Sequence, residues 1–222
     1  MNAQASLELK CFELGDFATN GYVLFDPSDR AKSCWIVDCP YEPEAMIAYI
    51  LEEGLKPELC ILTHCHCDHI AGLAQMRLKL GPVPVLCHAL EKDFNADPNL
   101  NLSVFIPPQV VAPEPEGFLA SGQLLMLPGA GGYTFQIVHV PGHSPGMICL
   151  WCEQAVLALV GDTLFADSIG RTDFPTSDPA AMDRSLQLLL TLPDTTKIYP
   201  GHGEATTIGA ERRTNPYLQN LR

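Results

Sequence analysis

Positive charge is scarce in this chain. Lysine and arginine together number 13 against 26 aspartates and glutamates, giving a formal net charge of -13. Such a surface is a poor match for nucleic acid, whose phosphates attract clusters of Lys and Arg, and the charge is expected to serve solubility. Long apolar runs are also missing. The longest, such as 155–160, fall far short of the ~20 residues that cross a bilayer, so no membrane association is expected. Residues 1–10 carry neither a basic start nor an apolar run, and no targeting segment is expected there. No Pro- or Ser-rich linker interrupts the 222 residues, so one domain over 1–222 is expected. Cysteine, by contrast, is plentiful. Nine is an odd number in a chain too large to need disulfide staples, and reduced thiols in a cytoplasmic protein are expected.

An apolar content of 47% against 18% charged residues fits a folded globular chain. Residues 7–14, 22–25 and 34–37 read as strands bounded by Gly, Asp or Pro. Met46, Ile47, Ile50 and Leu51 recur at helical spacing behind Pro43, predicting a helix over 43–53 that Gly54 ends. A buried strand is expected at 60–62, a helix over 70–80 and another buried strand at 84–87. Residues 95–117 carry five prolines and little periodicity, which predicts a long loop, either a surface excursion or one wall of a cleft. Further strands are expected at 124–127, 133–138, 147–151, 155–160 and 198–199, with a helix over 179–190. Strands followed by a helix thus occur twice, suggesting two similar halves packed sheet against sheet.

The chemistry concentrates at the ends of these strands. Thr63-His64-Cys65-His66-Cys67-Asp68-His69 places three imidazoles and a carboxylate within six positions. Imidazole and carboxylate suit zinc, iron or manganese. His143 follows a strand in Pro141-Gly142-His143-Ser144-Pro145-Gly146. Asp162 follows one in Gly161-Asp162-Thr163, and His202 in Pro200-Gly201-His202-Gly203. Gly lets the backbone bend sharply and approach closely, as a metal cage requires. Any one such turn is weak evidence; all four together specify a metal site.

These motifs, in this order, resemble the metallo-β-lactamase superfamily over nearly the whole chain. The resemblance implies an α+β fold, a four-layer αββα sandwich with two divalent metal ions at the sheet edges, zinc by preference with iron or manganese as alternatives. By the same resemblance His64, His66 and His143 hold one ion, Asp68, His69 and His202 the other, and Asp162 bridges them. Metal pairs in hydrolases sit roughly 3.5–4 Å apart and share a water or hydroxide that attacks an acyl carbonyl, with Asp68 and Asp162 orienting it. Gly170-Arg171-Thr172-Asp173-Phe174 and the segment Glu211-Arg212-Arg213-Thr214-Asn215-Pro216-Tyr217 resemble the glyoxalase II group, the hydroxyacylglutathione hydrolases, in their short bacterial form. That implies a small-molecule thioester substrate such as S-lactoylglutathione. Full-length glyoxalase II carries a C-terminal helical domain that supplies basic residues to glutathione, and this chain stops at Arg222, so the carrier thiol is left open. Arg171 and Asp173 are expected to pair with each other and shape the site rather than touch substrate. The persulfide dioxygenases share the Gly-Arg-Thr-Asp-Phe loop and use a single iron, matched here to His64, His143 and Asp162; Pro200-Gly201-His202-Gly203 favours the two-metal hydrolase. A β-lactamase or lactonase uses the same attack on an activated carbonyl.

Other reactive residues are expected to be structural. Cys65 and Cys67 alternate with the ligands and should point away from them. Cys149 and Cys152 lie three apart in a strand, where they face opposite sides. His88 lacks a Gly-rich turn and reads as structural, whereas His139 is equally a partner of the metal ligands or a packed strand residue. Gly129-Ala130-Gly131-Gly132 reads as a hairpin turn rather than a phosphate loop.

Overall fold

The computed structural model describes residues 7–219 and 221, so the expectation for residues 1–10 falls largely outside the described residues. Its first half builds a six-stranded sheet from β1 (Glu8–Leu14), β2 (Thr19–Phe25), β3 (Ser33–Val37), β4 (Lys56–Ile61), β5 (Val85–His88) and β6 (Gly117–Leu119), in that spatial order. β1 to β3 pair antiparallel and β3 to β6 parallel. The parallel crossovers carry the helices α1 (Glu44–Glu52), α2 (Cys67–Ile70) and α3 (Leu73–Leu80). The second half contributes β7 (Leu124–Met126), β8 (Thr134–His139), β9 (Ile148–Cys152) and β10 (Leu157–Gly161). A small hairpin, β11 (Leu164–Phe165) and β12 (Ser168–Ile169), follows, then α4 (Pro179–Leu189), β13 (Lys197–Pro200), β14 (Thr206–Thr207) and α5 (Ile208–Thr214). The second sheet runs β14-β13-β10-β9-β8-β7.

Alternation along the strands explains the layering. In β2, Val23 points to a cluster with Met46, Ile50, Leu73 and Met76 of the first helical layer, while Tyr22 and Leu24 point to the opposite sheet. In β10, Leu157 and Leu159 meet Trp35, Val37 and Phe135 between the sheets, while Ala158 and Val160 meet Met182, Leu186 and Ile208 of α4 and α5. Three apolar layers thus separate four structural ones, the αββα sandwich. Cys149 and Cys152 fall in different layers, as strand spacing requires, and all nine cysteines are free.

Several expectations need correction. The helix read over 70–80 is two helices, because Gly72 gives its N–H to Cys39 O at 2.9 Å and a Cβ there would strike Cys39 and Pro40. The strand read at 60–62 begins at Lys56, since its half-exposed start pairs with β3. α5, β6, β14 and the β11–β12 hairpin were not expected: all are short, and weakly patterned in sequence. The segment 95–117 is a loop as read, with one turn of 3₁₀ helix at Ser103–Phe105. It is pinned from within, Asn101 Nδ2 donating to Phe94 O and Val110 O at 3.0 Å each. The hairpin turn at 129–132 joins β7 to β8, and Asp26 accepts from Gly131 N at 2.7 Å. Among the described residues no helix is long and apolar enough to cross a membrane.

Candidate metal centre

The loop after β4, the single turn of α2, the β8–β9 loop and the ends of β10 and β13 meet along one rim of the two sheets. They bring together all seven residues singled out as ligands. His64, His66 and His143 form one group whose ligand atoms lie within 4.8 Å of one another; Asp68, His69 and His202 form another, and Asp162 joins His64 and His69 in a third. Asp162 spans the set. Its Oδ1 lies 3.5 Å from His69 Nε2, and its Oδ2 lies 3.5 Å from His143 Nε2 and 3.4 Å from His202 Nε2. His202 Nε2 is also 3.2 Å from Asp68 Oδ2.

This packing has no hydrogen-bonded explanation of its own. His66 Nε2, His69 Nε2 and Asp162 Oδ1 are buried side-chain atoms without a hydrogen-bond partner. Leaving such atoms unpaired costs about 1–3 kcal/mol each, and a cation between His69 Nε2 and Asp162 Oδ1, which lie 3.5 Å apart, removes that cost for those two. His66 Nδ1 approaches His143 Nε2 to 2.8 Å and His64 Nε2 to 3.1 Å, converging as donors around an ion do. Burial pushes the His64, His66 and His143 imidazoles below their usual range, His66 to about 3. They therefore stay neutral, the state a ligand needs. Burial alone would raise Asp162, but the His69 charge at 3.5 Å and the His202 imidazole at 3.4 Å hold it well below the usual carboxylate range. The His and Asp cluster fits a dinuclear metal site.

Each ring is aimed from behind. His69 Nδ1 pairs with Asp38 Oδ2 at 2.9 Å, and Asp38 also accepts from the Thr63 amide and hydroxyl at 2.7 Å each. His143 Nδ1 meets Arg171 O at 2.9 Å, and His202 Nδ1 meets Phe17 O at 3.1 Å. Thr19 donates its hydroxyl to Asp68 Oδ2 at 3.0 Å. Gly201 is required at its place because a Cβ would run into the Asp162 carboxylate. The last ligand loop is sewn to the first hairpin: Asn20 N donates to Gly201 O at 2.7 Å, and Asn20 Nδ2 donates to Pro200 O at 3.0 Å.

Two supporting residues escaped the sequence reading. Asp38 stands at the C-terminal end of a strand, where every ligand turn begins, and that position was its one signal. Glu91 gives no signal. It is fully buried, and its carboxylate accepts from the Cys65 amide, the Ser144 hydroxyl and the Gly146 amide. It thereby clasps the His64–His69 loop to the His143 loop. Burial pushes the Glu91 carboxyl up, against the pull of these hydrogen bonds.

The remaining candidates lie outside the cluster. Arg171 and Asp173 pair through two hydrogen bonds of 2.9 and 2.8 Å on an exposed loop. The Arg171 guanidinium lies 4.6 Å from the Phe174 ring centre, and Phe174 is edge-on to His66 and His143 at 5.5 Å. Cys65 packs in the helix-facing core. His88 and His139 stack on each other at 4.3 Å, with His139 Nε2 against Pro145 O at 2.9 Å.

The pattern of the metallo-β-lactamase superfamily matches residues 14–202. A hydroxyacylglutathione hydrolase of Haemophilus influenzae is 35% identical over 203 residues, covering 86% of this chain and 90% of its own. Among solved structures, the B3 metallo-β-lactamase BLEG-1 is similar with a TM-score of 0.88 and 35% identity, over 96% of this chain and all of that one. The TTHA1623 protein, solved in a di-iron-bound form, has a TM-score of 0.82 and 34% identity, over 94% of this chain and 100% of its own.

Proposed function

We propose, from the premise that the chain belongs to the metallo-β-lactamase superfamily and is a metallo-hydrolase with a His-rich metal site, that it hydrolyses acyl thioesters, with S-lactoylglutathione or a related hydroxyacyl-glutathione as the reference substrate. The observation that carries this reading is that five of the seven clustered ligand-type residues, His66, Asp68, His143, Asp162 and His202, line one open cavity. In this reading His64, His66 and His143 hold one divalent ion, Asp68, His69 and His202 a second, and Asp162 serves both. Zinc is the proposed ion, with iron or manganese equally suited to the donor set. Two such ions, when bound, bring the pKa of a shared water near neutrality and stabilise charge on the carbonyl oxygen.

The chain's own residues do the rest. Asp68, fixed by Thr19, and Asp162, fixed by its imidazoles, accept hydrogen bonds from the attacking water and orient it. The water oxygen bonds to the acyl carbon and the carbon–sulfur bond breaks, its electron pair leaving on sulfur. The water's protons pass to the thiolate and the solvent. Outside the ligand set, the polar lining of the cavity is Cys67, Ser168 and Arg171, so no strong acid stands ready for the leaving group. A thiol, with a pKa of about 8.5, departs as thiolate without one, which supports a thioester over an ester or amide. Arg171 and Asp173 hold the loop whose backbone carbonyl aims His143. The nine free thiols are in keeping with a cytoplasmic location, which we include in the proposal.

Metal analysis of the purified protein together with a thiol-release assay tests the reading. Two ions per chain and release of thiol from S-lactoylglutathione or another acyl thioester are expected. One iron per chain with oxygen uptake on glutathione persulfide would overturn it in favour of a dioxygenase.

A further inference from the structure

The cavity in front of the ligands has walls that the metal chemistry does not explain. It encloses about 590 Å³, within the roughly 300–1,000 Å³ of small-molecule sites. Phe17, Phe105, Ile106, Phe165, Ile169 and Phe174 line it beside the ligands, Phe174 and Phe165 edge-on to ligand rings at 5.5 and 6.0 Å. Its lining cation, Arg171, is already engaged by Asp173 in two hydrogen bonds of 2.9 and 2.8 Å. Phe105 is 71% exposed and Phe17 42% exposed, so aromatic surface stands open to water at the mouth. The wall that carries Phe105 is preformed. Asn101 Oδ1 accepts from Ser103 N at 3.0 Å, and Ser103 Oγ accepts from Val110 N at 2.9 Å, fixing the turn.

These walls favour a neutral, apolar group and offer little to an anion. Glutathione carries two carboxylates against one ammonium, and the chain itself carries a net charge of -13. Lactoyl is small and polar, and would leave the phenylalanine wall in contact with water. Apolar area withdrawn from water is the largest binding contribution such a cavity provides.

We propose, on the thioester reading above, that the preferred substrate carries a bulky, uncharged, apolar acyl group, medium-chain or aromatic, seated against the Phe105 and Phe165 wall. Each methylene seated there raises kcat/KM about fourfold, the equivalent of about 0.8 kcal/mol per buried methylene.

The test uses the metal-loaded protein and a series of N-acetylcysteamine thioesters, an uncharged carrier, with acetyl, butanoyl, hexanoyl and benzoyl groups. S-lactoylglutathione is run beside them. The expected result is a rise of roughly 250-fold in kcat/KM from acetyl to hexanoyl, four added methylenes at about fourfold each, with hexanoyl ahead of S-lactoylglutathione. Phe105→Ser should cut the hexanoyl-to-acetyl ratio severalfold, and Phe105→Lys should shift preference toward S-lactoylglutathione. A flat or falling series, or a ratio untouched by both variants, overturns the apolar assignment and leaves thioester hydrolysis standing. Calorimetry with non-cleavable S-hexyl and S-methyl thioethers of the same carrier separates the remaining case. Tighter S-hexyl binding without cleavage of any thioester supports the apolar wall and overturns the thioester reading; equal binding without cleavage overturns both.

Discussion

Replacing Glu91 should loosen two ligand loops at once. Its carboxylate is fully buried and accepts from the Cys65 amide, one residue from His64 and His66, and from the Ser144 hydroxyl and Gly146 amide, which follow His143 by one and three residues. In Glu91→Leu the Ser144 hydroxyl can turn to another acceptor, but the two amides cannot. Each orphaned buried donor costs about 1–3 kcal/mol, so the pair predicts about 2–6 kcal/mol of lost stability. Glu91→Gln keeps the side-chain shape and one acceptor oxygen. Turned to serve Ser144 and Gly146, its amide nitrogen faces the Cys65 N–H, donor against donor, for a loss of about 1–3 kcal/mol. At this chain length each kcal/mol lowers Tm by about 2–4 °C. Urea unfolding of the metal-stripped variants measures the loss, and competition against a chromogenic chelator measures metal affinity. Both should fall in the order wild type, Gln, Leu. A metal-stripped Glu91→Leu protein within about 0.5 kcal/mol of wild type, with unchanged metal affinity, would refute the reasoning.

Asp162→Ala should lose metal content and turnover together, by metal analysis and thiol release; full occupancy with normal turnover would remove Asp162 from the centre. Stripping metal with a chelator should lower the unfolding free energy by about 8 kcal/mol, about 4 for each of two ions, relative to protein in metal at a thousandfold excess over Kd, and calorimetry should show the Tm recover on readdition. Burial would raise the Asp26 carboxyl, but hydrogen bonds from the Ser28 hydroxyl and amide and the Gly131 amide more than offset it and hold the pKa below the usual range. Its stabilising contribution is therefore present above the unfolded-state pKa of about 3.9 and is lost as pH falls through the lower folded value. The stability gap between wild type and Asp26→Asn should accordingly narrow in acid, and a gap constant from about pH 7 to pH 3 would contradict the assignment.

The layering was legible because short apolar runs such as 155–160 mark strands buried on both faces, and helical spacing at Met46, Ile47 and Ile50 marks the core face of α1. The ligand set was legible because four members crowd into the segment 64–69 after one apolar strand and the other three each follow a strand beside a Gly. What stayed hidden depends on tertiary position. Glu91 lies in an unremarkable 3₁₀ turn, and only folding brings it within reach of Ser144, 53 residues away. The break at Gly72 follows from crowding against Cys39 and Pro40, which no local pattern records. Phe105 looked like part of a featureless loop, because its meaning comes from the cavity it faces. His139 combines both expected roles, stacking on His88 in the strand while its Nε2 meets Pro145 O in the His143 loop.

The stitch between Asn20 and the Pro200-Gly201 turn spans 180 residues of sequence. A ribosome adding about 5–20 residues per second takes about 9–36 seconds to cover that distance. For the 133 residues from His69 to His202, about 7–27 seconds at the same rate, the nascent chain already displays His64, His66 and His69 but lacks the His202 turn that closes the rim. Metal uptake in its finished form thus becomes a late event of biosynthesis, coinciding with closure of the seam. Fragments released early would hold metal weakly, so a chain interrupted before its final turn would carry the marks of the site without its occupancy.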